Sequence, residues 1–441
     1  MARGRSWLTR RQMAATYAVL SVLVVLIGAA VRAPAQTETV LHSFSGGKGG
    51  SGPSGGLVFD TAGNLYGTTL GGGNLQKCSH RGCGTVFELS PRPNGSWTYS
   101  AIYSFSGVPD GAYPDSLVLD GASNIYGTAF GGGQSGGGTA FELTRAGLGW
   151  TESELYAFAG NINNADVTTP IGMIFDSAGN LYGTGEYGAG GVLGPGGIFE
   201  LSPAGNGVWK ETVLYRFTGG ADGGRSLAGP IFDSTGNLYG TTYYGGNLAF
   251  CQGNGCGVVF ELSPGANGWK YKVLYAFTGN QDGSNPAARL TIDPAGNLYG
   301  LTENGGNLKF CGGYGCGTVF RLKHTATGWK KTVLRAFVGG LDGAAPLDNT
   351  GMALDSAGNL YGTTSQGGGF NNCVFATSCG TVFKLSHTIT GWKETVLHAF
   401  TGGIDGEYPT GGITLDAARN VYGVTEGGGN YGRGVAFRIT P

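Results

Sequence analysis

The chain has 441 residues, 89 of them glycine, and its 27 basic residues nearly balance its 28 acidic ones. Glycine does not occupy every third position, which excludes a collagen-like triple helix, and a hydrophobic content of 40% argues against a disordered chain. Short apolar runs between the glycines indicate an all-β protein with many turns.

Residues 1–35 have the layout of a targeting segment. Arginines at its start precede an apolar stretch from Ala14 to Val31, and Ala33 to Ala35 offer small residues for cleavage. We expect a signal peptide, or an uncleaved N-terminal anchor, because the apolar stretch is long for a signal. The remaining chain has 22 basic and 28 acidic residues, so nucleic acid is not an expected partner. No later stretch could span a membrane, and we expect a periplasmic or extracellular protein.

One decapeptide recurs seven times along the rest of the chain. Its form at residues 355–364 is DSAGNLYGTT, and successive copies start 56 to 62 residues apart. A period of this length is typical of stacked or circular repeat proteins. The seven copies start at Asp60, Asp120, Asp176, Asp233, Asp293, Asp355 and Asp416.

Each repeat unit contains four short apolar runs in a fixed order. In the first unit these are GLVFD at 56–60, NLYGTT at 64–69, TVFELS at 85–90 and SAIYSF at 100–105. Aromatic and β-branched residues dominate the runs, as strands require. Seven units of four antiparallel strands predict an all-β, seven-bladed β-propeller.

The two ends of the chain complement each other. Residues 38–44 resemble a lone fourth strand with no unit before them, whereas residues 411–440 provide three strands that lack a fourth. Pairing them would complete a blade and remove the exposed strand edges of an open array. We therefore predict that residues 36–441 form one closed propeller, and we expect it to be monomeric.

The repeated residues have structural explanations. Asp followed by Gly-Asn predicts a hairpin turn with a positive φ at the glycine, which Ser123 and Arg419 replace in two units. The recurring Tyr and Phe residues are expected to pack between blades. The Gly after each Tyr is expected to let neighbouring sheets approach closely.

Three longer motifs carry a family resemblance: D-[ST]-x-G-N-L-Y-G-T-T, G-T-V-F-E-L and G-W-K-E-T-V-L-Y-x-F-T-G-G-x-D-G. Together they resemble the GloVer-type tandem repeat of exported bacterial proteins, also known as choice-of-anchor repeat proteins, over about 400 residues. The resemblance implies export and a propeller, but no established reaction or catalytic residues. More loosely, the pattern is similar to NHL-type and streptogramin-lyase-type propellers.

The eight cysteines form four local pairs, each between the second and third strands of a unit. In an exported chain they predict disulfides, whereas zinc, the alternative, prefers a C-x2-C spacing. The expected bonds are Cys78–Cys83, Cys251–Cys256, Cys311–Cys316 and Cys373–Cys379.

Two groups of loop residues are candidates for ligand binding. Aromatic residues on the cysteine loops of units 4 to 6 would form either a binding rim or a shield for blade edges: Phe250, Phe310, Tyr314, Phe370 and Phe375. The residues that follow NLYGTT would line a polar mouth for a sugar or a cation, or would be solvated strand ends: Glu186, Tyr187, Tyr243, Tyr244, Glu303 and Glu426.

Catalytic chemistry has little support in the sequence. None of the five histidines falls where a central general base would be expected, and we assign no catalytic residue, metal or cofactor. The repeated Asp-Gly loops mostly offer one carboxylate each, whereas calcium needs several oxygen ligands, so turn chemistry is the expected explanation of these residues. We therefore expect a non-catalytic module that binds carbohydrate or a cell-envelope polymer. The alternatives are a polysaccharide lyase or hydrolase using the central carboxylates, and a structural scaffold for protein partners.

Overall fold

A computed structural model describes residues 36–147, 149–159, 167–188, 194–347, 350–369, 373 and 378–440. The expected signal peptide or anchor at 1–35, and Phe370 and Phe375, lie outside the described residues. Among the residues that are described, no helix has the length and apolar character needed to cross a membrane.

Four-stranded antiparallel blades build the fold. Blade 1 contains β2 (Ser51–Pro53), β3 (Val58–Phe59), β4 (Leu65–Gly71), β5 (Thr85–Pro91) and β6 (Trp97–Ser104). Blade 2 contains β7 (Ala112–Leu119), β8 (Ile125–Gly131), β9 (Gly136–Ala146) and β10 (Gly149–Ala159). Blade 3 contains β11 (Val167–Phe175), β12 (Leu181–Gly188), β13 (Gly197–Gly205) and β14 (Val208–Arg216). In blade 1, β2 and β3 both pair with β4 and together take the place of the innermost strand.

The other blades follow the same order. Blade 4 contains β15 (Ile231–Phe232), β16 (Leu238–Thr242), β17 (Val258–Ser263) and β18 (Lys270–Ala276). Blade 5 contains β19 (Thr291–Ile292), β20 (Leu298–Thr302), β21 (Thr318–Thr325) and β22 (Gly328–Ala336). Blade 6 contains β23 (Ala353–Leu354), β24 (Leu360–Thr364), β25 (Thr381–Thr388) and β26 (Gly391–Ala399). Blade 7 contains β27 (Thr414–Leu415), β28 (Val421–Thr425), β29 (Val435–Thr440) and β1 (Thr37–Ser43). Short 3-10 helices lie at Gly47–Gly49, Cys78–His80, Cys251–Gly253 and Cys311–Gly313.

Blade 7 closes the ring from both ends of the chain. Its strand order is β1-β29-β28-β27, and the antiparallel register pairs Thr37 with Thr440 and Ser43 with Val435. The predicted seven-bladed propeller and its closure by the N-terminal strand are therefore confirmed.

The decapeptide forms the turn between the first and second strands and then the second strand itself. In blade 6, Asp355 Oδ1 accepts hydrogen bonds from the backbone N–H groups of Ala357 and Asn359, and its Oδ2 accepts one from the Tyr361 hydroxyl at 3.1 Å. Burial raises the pKa of Asp355, but these bonds and that from the Asn359 side chain hold it below its ordinary value. At the predicted strained turns, φ is 64° at Ser123 and 65° at Arg419.

A ring of buried phenylalanines joins the blades. A Phe just after the outer strand of one blade packs against the Phe of the third strand in the next, as with Phe105 and Phe141, whose ring centroids are 5.0 Å apart. The same contact closes the ring between Phe44 of blade 7 and Phe87 of blade 1 at 5.1 Å. These aromatic pairs confirm the inter-blade packing expected of the repeated phenylalanines.

The glycine after each repeated Tyr has a different role from the one expected. A Cβ on Gly300 would lie 2.4 Å from the ring of Phe320 and 2.8 Å from Leu290, and both residues belong to the same blade. The expectation that this glycine allows neighbouring sheets to approach was wrong. Its missing side chain instead makes room for the Phe ring of the adjacent strand within the blade.

Candidate functional site

All four disulfides lie on one end of the propeller, which we call the loop face. It consists of the loops between second and third strands and the loops that join blades. The structure contains the bonds Cys78–Cys83, Cys251–Cys256, Cys311–Cys316 and Cys373–Cys379, as predicted. A Cβ on Gly339, in the loop after blade 5, would lie 2.9 Å from Cys311 Sγ, so this disulfide packs directly on an inter-blade loop.

Exposed large hydrophobic side chains concentrate on the loop face. Among the described residues, Val208 and Ile389 are the ones that lie on the opposite end, which we call the turn face. The loop-face members are Leu75, Val108, Leu248, Leu308, Phe310, Tyr314, Leu341, Ile404 and Tyr431. Of the predicted rim aromatics, Phe310 is 40% exposed and Tyr314 is 66% exposed, whereas Phe250 packs against the core between blades 4 and 5.

Two residue positions in each blade surround the loop-face mouth of the central channel. One is the position directly after NLYGTT, and the other lies at the start of the innermost strand. They are joined by backbone hydrogen bonds, such as Tyr243 N–H to Arg225 O at 2.8 Å and Glu426 N–H to Tyr408 O at 3.0 Å. The innermost position has a positive φ, for example 55° at Arg225 and 59° at Tyr408. Non-glycine residues at such angles are strained, and strain of this kind clusters at binding sites.

In blades 3 to 5, the side chains at the mouth form ion pairs and hydrogen bonds with one another. Arg225 forms an ion pair with Glu186, with its Nε 3.0 Å from Glu186 Oε1. The guanidinium lies over the Tyr187 ring at 4.9 Å and the Tyr244 ring at 5.6 Å. Three predicted residues, Glu186, Tyr187 and Tyr244, therefore surround Arg225. Arg225 itself was not predicted from the sequence. The signal was available, because Arg225 follows the Asp-Gly loop at the same position in the repeat as Tyr113 and Tyr408.

A second contact in this sector links blades 4 and 5. The Tyr243 hydroxyl donates to Glu303 Oε2 at 2.5 Å, and burial together with this bond raises the pKa of Tyr243. Tyr243 also meets Tyr244 edge-on, with ring centroids 4.7 Å apart. Two of the three predicted carboxylates, Glu186 and Glu303, are therefore engaged by neighbouring blades.

In blades 7, 1 and 2, the mouth opens into a cavity of about 870 Å³, which we call the mouth cavity. Its walls include Leu70, Tyr113, Phe130, Glu426 and Arg433. The rings of Tyr113 and Phe130 are stacked, with centroids 5.4 Å apart and planes inclined by 24°. Phe310 and Tyr314 are not among the residues that line it.

Glu426 differs from the other two predicted carboxylates. It is half-buried, and burial raises its pKa. Within the described part of the chain, its carboxylate has neither an ion-pair partner nor a hydrogen-bond donor. It is thus a polar group positioned to interact with a molecule in the mouth cavity.

Two further clefts lie between the outer parts of neighbouring blades. One of about 1130 Å³ between blades 4 and 5 contains Asp282 and Leu308 in its walls. The other, of about 640 Å³ between blades 5 and 6, contains Arg335 and Glu394. Burial raises the pKa of Glu394 to about 7, although its ion pair with Arg335 at 2.6 Å opposes this shift.

The histidines lie in separate parts of the fold, and one of them, His398, pairs with Asp405, with its Nε2 3.1 Å from Oδ2. His42 stacks on Tyr99 at 3.9 Å, and burial lowers its pKa to about 4. His80 is exposed and lines the mouth cavity. The one cluster of metal-ligating atoms among the described residues joins Glu407 to Cys373 and Cys379, whose sulfurs are already bonded to each other.

Comparisons with known proteins agree with the repeat architecture. A solved streptogramin B lyase shares 14% identity, covering 92% of this chain and 96% of that chain, with a TM-score of 0.50. The extracellular domain of a protein described as a one-component system of B. thetaiotaomicron shares 13% identity. That match covers 92% of this chain and 42% of that chain, with a TM-score of 0.52. At these identities the likenesses show the propeller fold alone.

Among curated proteins, none matches this chain. The sequence profile of the Gloeobacter/Verrucomicrobia repeat matches residues 28–249, 152–376 and 252–441, which together extend over every blade. This chain is a member of the Gloeobacter/Verrucomicrobia repeat family.

Proposed function

We propose that this protein is an exported, non-catalytic binding module that holds a carbohydrate or cell-envelope polymer in the mouth cavity. The observation that carries the proposal is the stacked pair of Tyr113 and Phe130 beside Glu426 and Arg433 in a cavity of about 870 Å³. A sugar ring has an apolar face that packs on aromatic rings and hydroxyls that bond to charged groups. The volume also falls within the range of ordinary small-molecule sites.

The walls of the mouth cavity are held in place by the fold. Tyr113 has a φ of 60°, and its backbone N–H donates to the carbonyl of Cys83 at 2.7 Å, beside the Cys78–Cys83 disulfide. A wall fixed in this way loses little conformational entropy when a ligand binds. The four disulfides also suit an oxidising compartment, which supports export.

The engaged carboxylates favour binding over catalysis. Most glycoside hydrolases use a pair of carboxyl groups, one as acid and the other as base or nucleophile. At this mouth Glu186 is neutralised by Arg225, and Glu303 accepts a hydrogen bond from Tyr243. Glu426 is the predicted carboxylate that these two contacts leave unengaged. Its raised pKa supports the second candidate function, a polysaccharide-acting enzyme with Glu426 as general acid.

A glycan and envelope-polymer binding screen on oxidised protein tests the proposal. We expect a ligand whose affinity falls about fivefold or more in Phe130→Ala, because an aromatic contact of this kind contributes about 1 kcal/mol or more. The matched control is Phe310→Ala, an exposed loop-face aromatic outside the cavity, which should bind normally.

The same samples distinguish the alternatives. Ligand binding that is unaffected by Phe130→Ala but lost in Phe310→Ala would move the site to the blade 5 loop. Product release that disappears in Glu426→Gln, but persists in Glu303→Gln, would establish the enzyme. If the folded protein binds no glycan or polymer, the remaining alternative is that it is a structural scaffold for protein partners.

A further inference from the structure

A row of exposed lysines runs along the outer strands of four consecutive blades. Each lysine directly follows the tryptophan at the start of an outer strand, and all four side chains are exposed. We call these residues the lysine row: Lys210, Lys270, Lys330 and Lys393 of blades 3, 4, 5 and 6. The equivalent residues in blades 1, 2 and 7 are Thr98, Thr151 and Thr37.

The lysine row is not explained by ion pairs within the protein. Across the outer hairpins, Lys210, Lys270 and Lys393 each face a serine, and none of the four lysines forms a salt bridge to a described residue. Lys330 directly faces Lys323. Like charges opposite each other on antiparallel strands are destabilising. The Lys323–Lys330 pair therefore has a cost in the free protein that a bound anion would reduce.

The fold holds this row in a fixed geometry. The tryptophan before each lysine packs on the repeated tyrosine of the preceding blade, as with Trp329 against Tyr239 at 6.0 Å and Trp392 against Tyr299 at 6.3 Å. The row places one lysine on each of four consecutive blades of a chain that is close to neutral as a whole, with 27 basic and 28 acidic residues. A fixed set of concentrated charges attracts a ligand of opposite sign.

The curvature of the propeller suits a flexible partner. Successive blades of a seven-membered ring turn by about 50°, so four consecutive outer strands cover an arc of about 150°. A flexible chain can follow such an arc and contact all four lysines. We infer that the lysine row binds a linear polyanion, a polymer carrying repeated carboxylate or phosphate groups. This site is separate from the mouth cavity and does not depend on the proposed function.

Salt-dependent binding tests this inference with the full chain purified under oxidising conditions. The probes are polygalacturonate, polyphosphate and vesicles containing phosphatidylglycerol. The test variant is Lys210→Thr/Lys270→Thr/Lys330→Thr/Lys393→Thr, which uses the residue found at this position in the other three blades. The control removes four cations outside the row: Lys48→Thr/Lys77→Thr/Lys309→Thr/Arg92→Thr.

We expect at least one of the two polymers to bind. The test variant should lose at least tenfold in affinity at low salt, and its slope of log affinity against log salt should shrink by roughly 3, since each lysine contributes about 0.7 to 0.9. The control variant should stay within twofold of wild type. If the fourfold variant does not fold, Lys330→Thr/Lys393→Thr should show about half of the change in slope.

Three results would overturn the inference. The test variant binds like wild type, the control loses as much affinity as the test variant, or the protein binds vesicles but neither polymer. Phe130→Ala should leave polyanion binding unchanged. A failure of the lysine-row inference can therefore be distinguished from a failure of the proposed ligand binding in the mouth cavity.

Discussion

At the scale of single residues, the repeated turn depends on one left-handed position. Gly63 has a φ of 85°, and a Cβ added there would meet nothing within 4 Å, so backbone strain is the main cost of a side chain at this position. Ser123 accepts that strain at the equivalent place in blade 2, with a φ of 64°. Because blade 1 has Gly and blade 2 has Ser at the same position of the turn, substitutions at these two positions test how much the turn contributes to the stability of the protein.

Replacing Ser123 with Gly should stabilise the protein. We expect Ser123→Gly to raise the free energy of unfolding by about 0.5–1 kcal/mol, because glycine adopts positive φ without strain. Urea denaturation measures the change. Gly63→Ser is the matched control and should lower stability by a similar amount; a lower stability of Ser123→Gly would contradict this account of the turn.

At the scale of elements, neighbouring outer strands meet through a different contact at each blade junction. Tyr215 stacks on Tyr271 with centroids 3.9 Å apart, and Arg335 pairs with Glu394 at 2.6 Å. At the junction of blades 1 and 2, burial raises the pKa of Glu152 to about 7, helped by Asp110 and Glu154. These differences distinguish junctions between blades that are otherwise nearly identical in sequence.

The Glu152 contact predicts a pH dependence of stability. Its folded-state pKa of about 7 lies above the ordinary value of 4.5, so the folded protein retains a proton that the unfolded chain releases. The free energy of unfolding should therefore fall as pH rises between these values. Glu152→Gln should be more stable relative to wild type at pH 8 than at pH 5 by urea denaturation. A constant difference between the two proteins would rule out this role.

The sequence predicted the strands and blades well, but it did not predict which side chains at the mouth contact each other. Strand number, blade number and closure followed from a 56- to 62-residue period, because repeats that are nearly identical must fold alike. The contacts at the mouth join residues far apart in sequence, 39 positions for Arg225 and Glu186 and 60 for Tyr243 and Glu303. Periodicity places such residues on the same rim but cannot tell which of them pair.

The stacked aromatics of the mouth cavity were missed for a related reason. Phe130 occupies the position after the NLYGTT-type motif in blade 2, whereas Tyr113 follows the Asp-Gly loop, a position that the decapeptide pattern does not place at the mouth. Among the predicted rim aromatics, Phe250 turns toward the core, whereas Phe310 at the equivalent position is exposed, a difference that the sequence of the two loops does not show.

At the scale of the whole molecule, the ring depends on its closing strand. β1 pairs with β29 over the length of both strands, and Phe44 is fully buried between blades 7 and 1. Without β1, the edge of β29 would be open to pairing with other chains.

Removing the closing strand should destabilise the propeller strongly. A chain that starts at Ser45 should lose at least about 3 kcal/mol of unfolding free energy and aggregate, because it loses a buried Phe and an edge strand. A peptide of residues 36–44 should restore the melting temperature in calorimetry. An unchanged melting temperature of the shortened chain would show that the ring does not need this strand.

The most direct test of the central claim is hydrogen exchange on the protein with a glycan or polymer ligand bound. If the mouth cavity is the site, slowed exchange should be confined to peptides that contain its lining residues, at 45–52, 70–81, 113, 130 and 426–433. Phe130→Ala should abolish the slowing at the same ligand concentration. Slowed exchange restricted to the blade 5 loop around Phe310 and Tyr314, with no change at the mouth, would contradict the account.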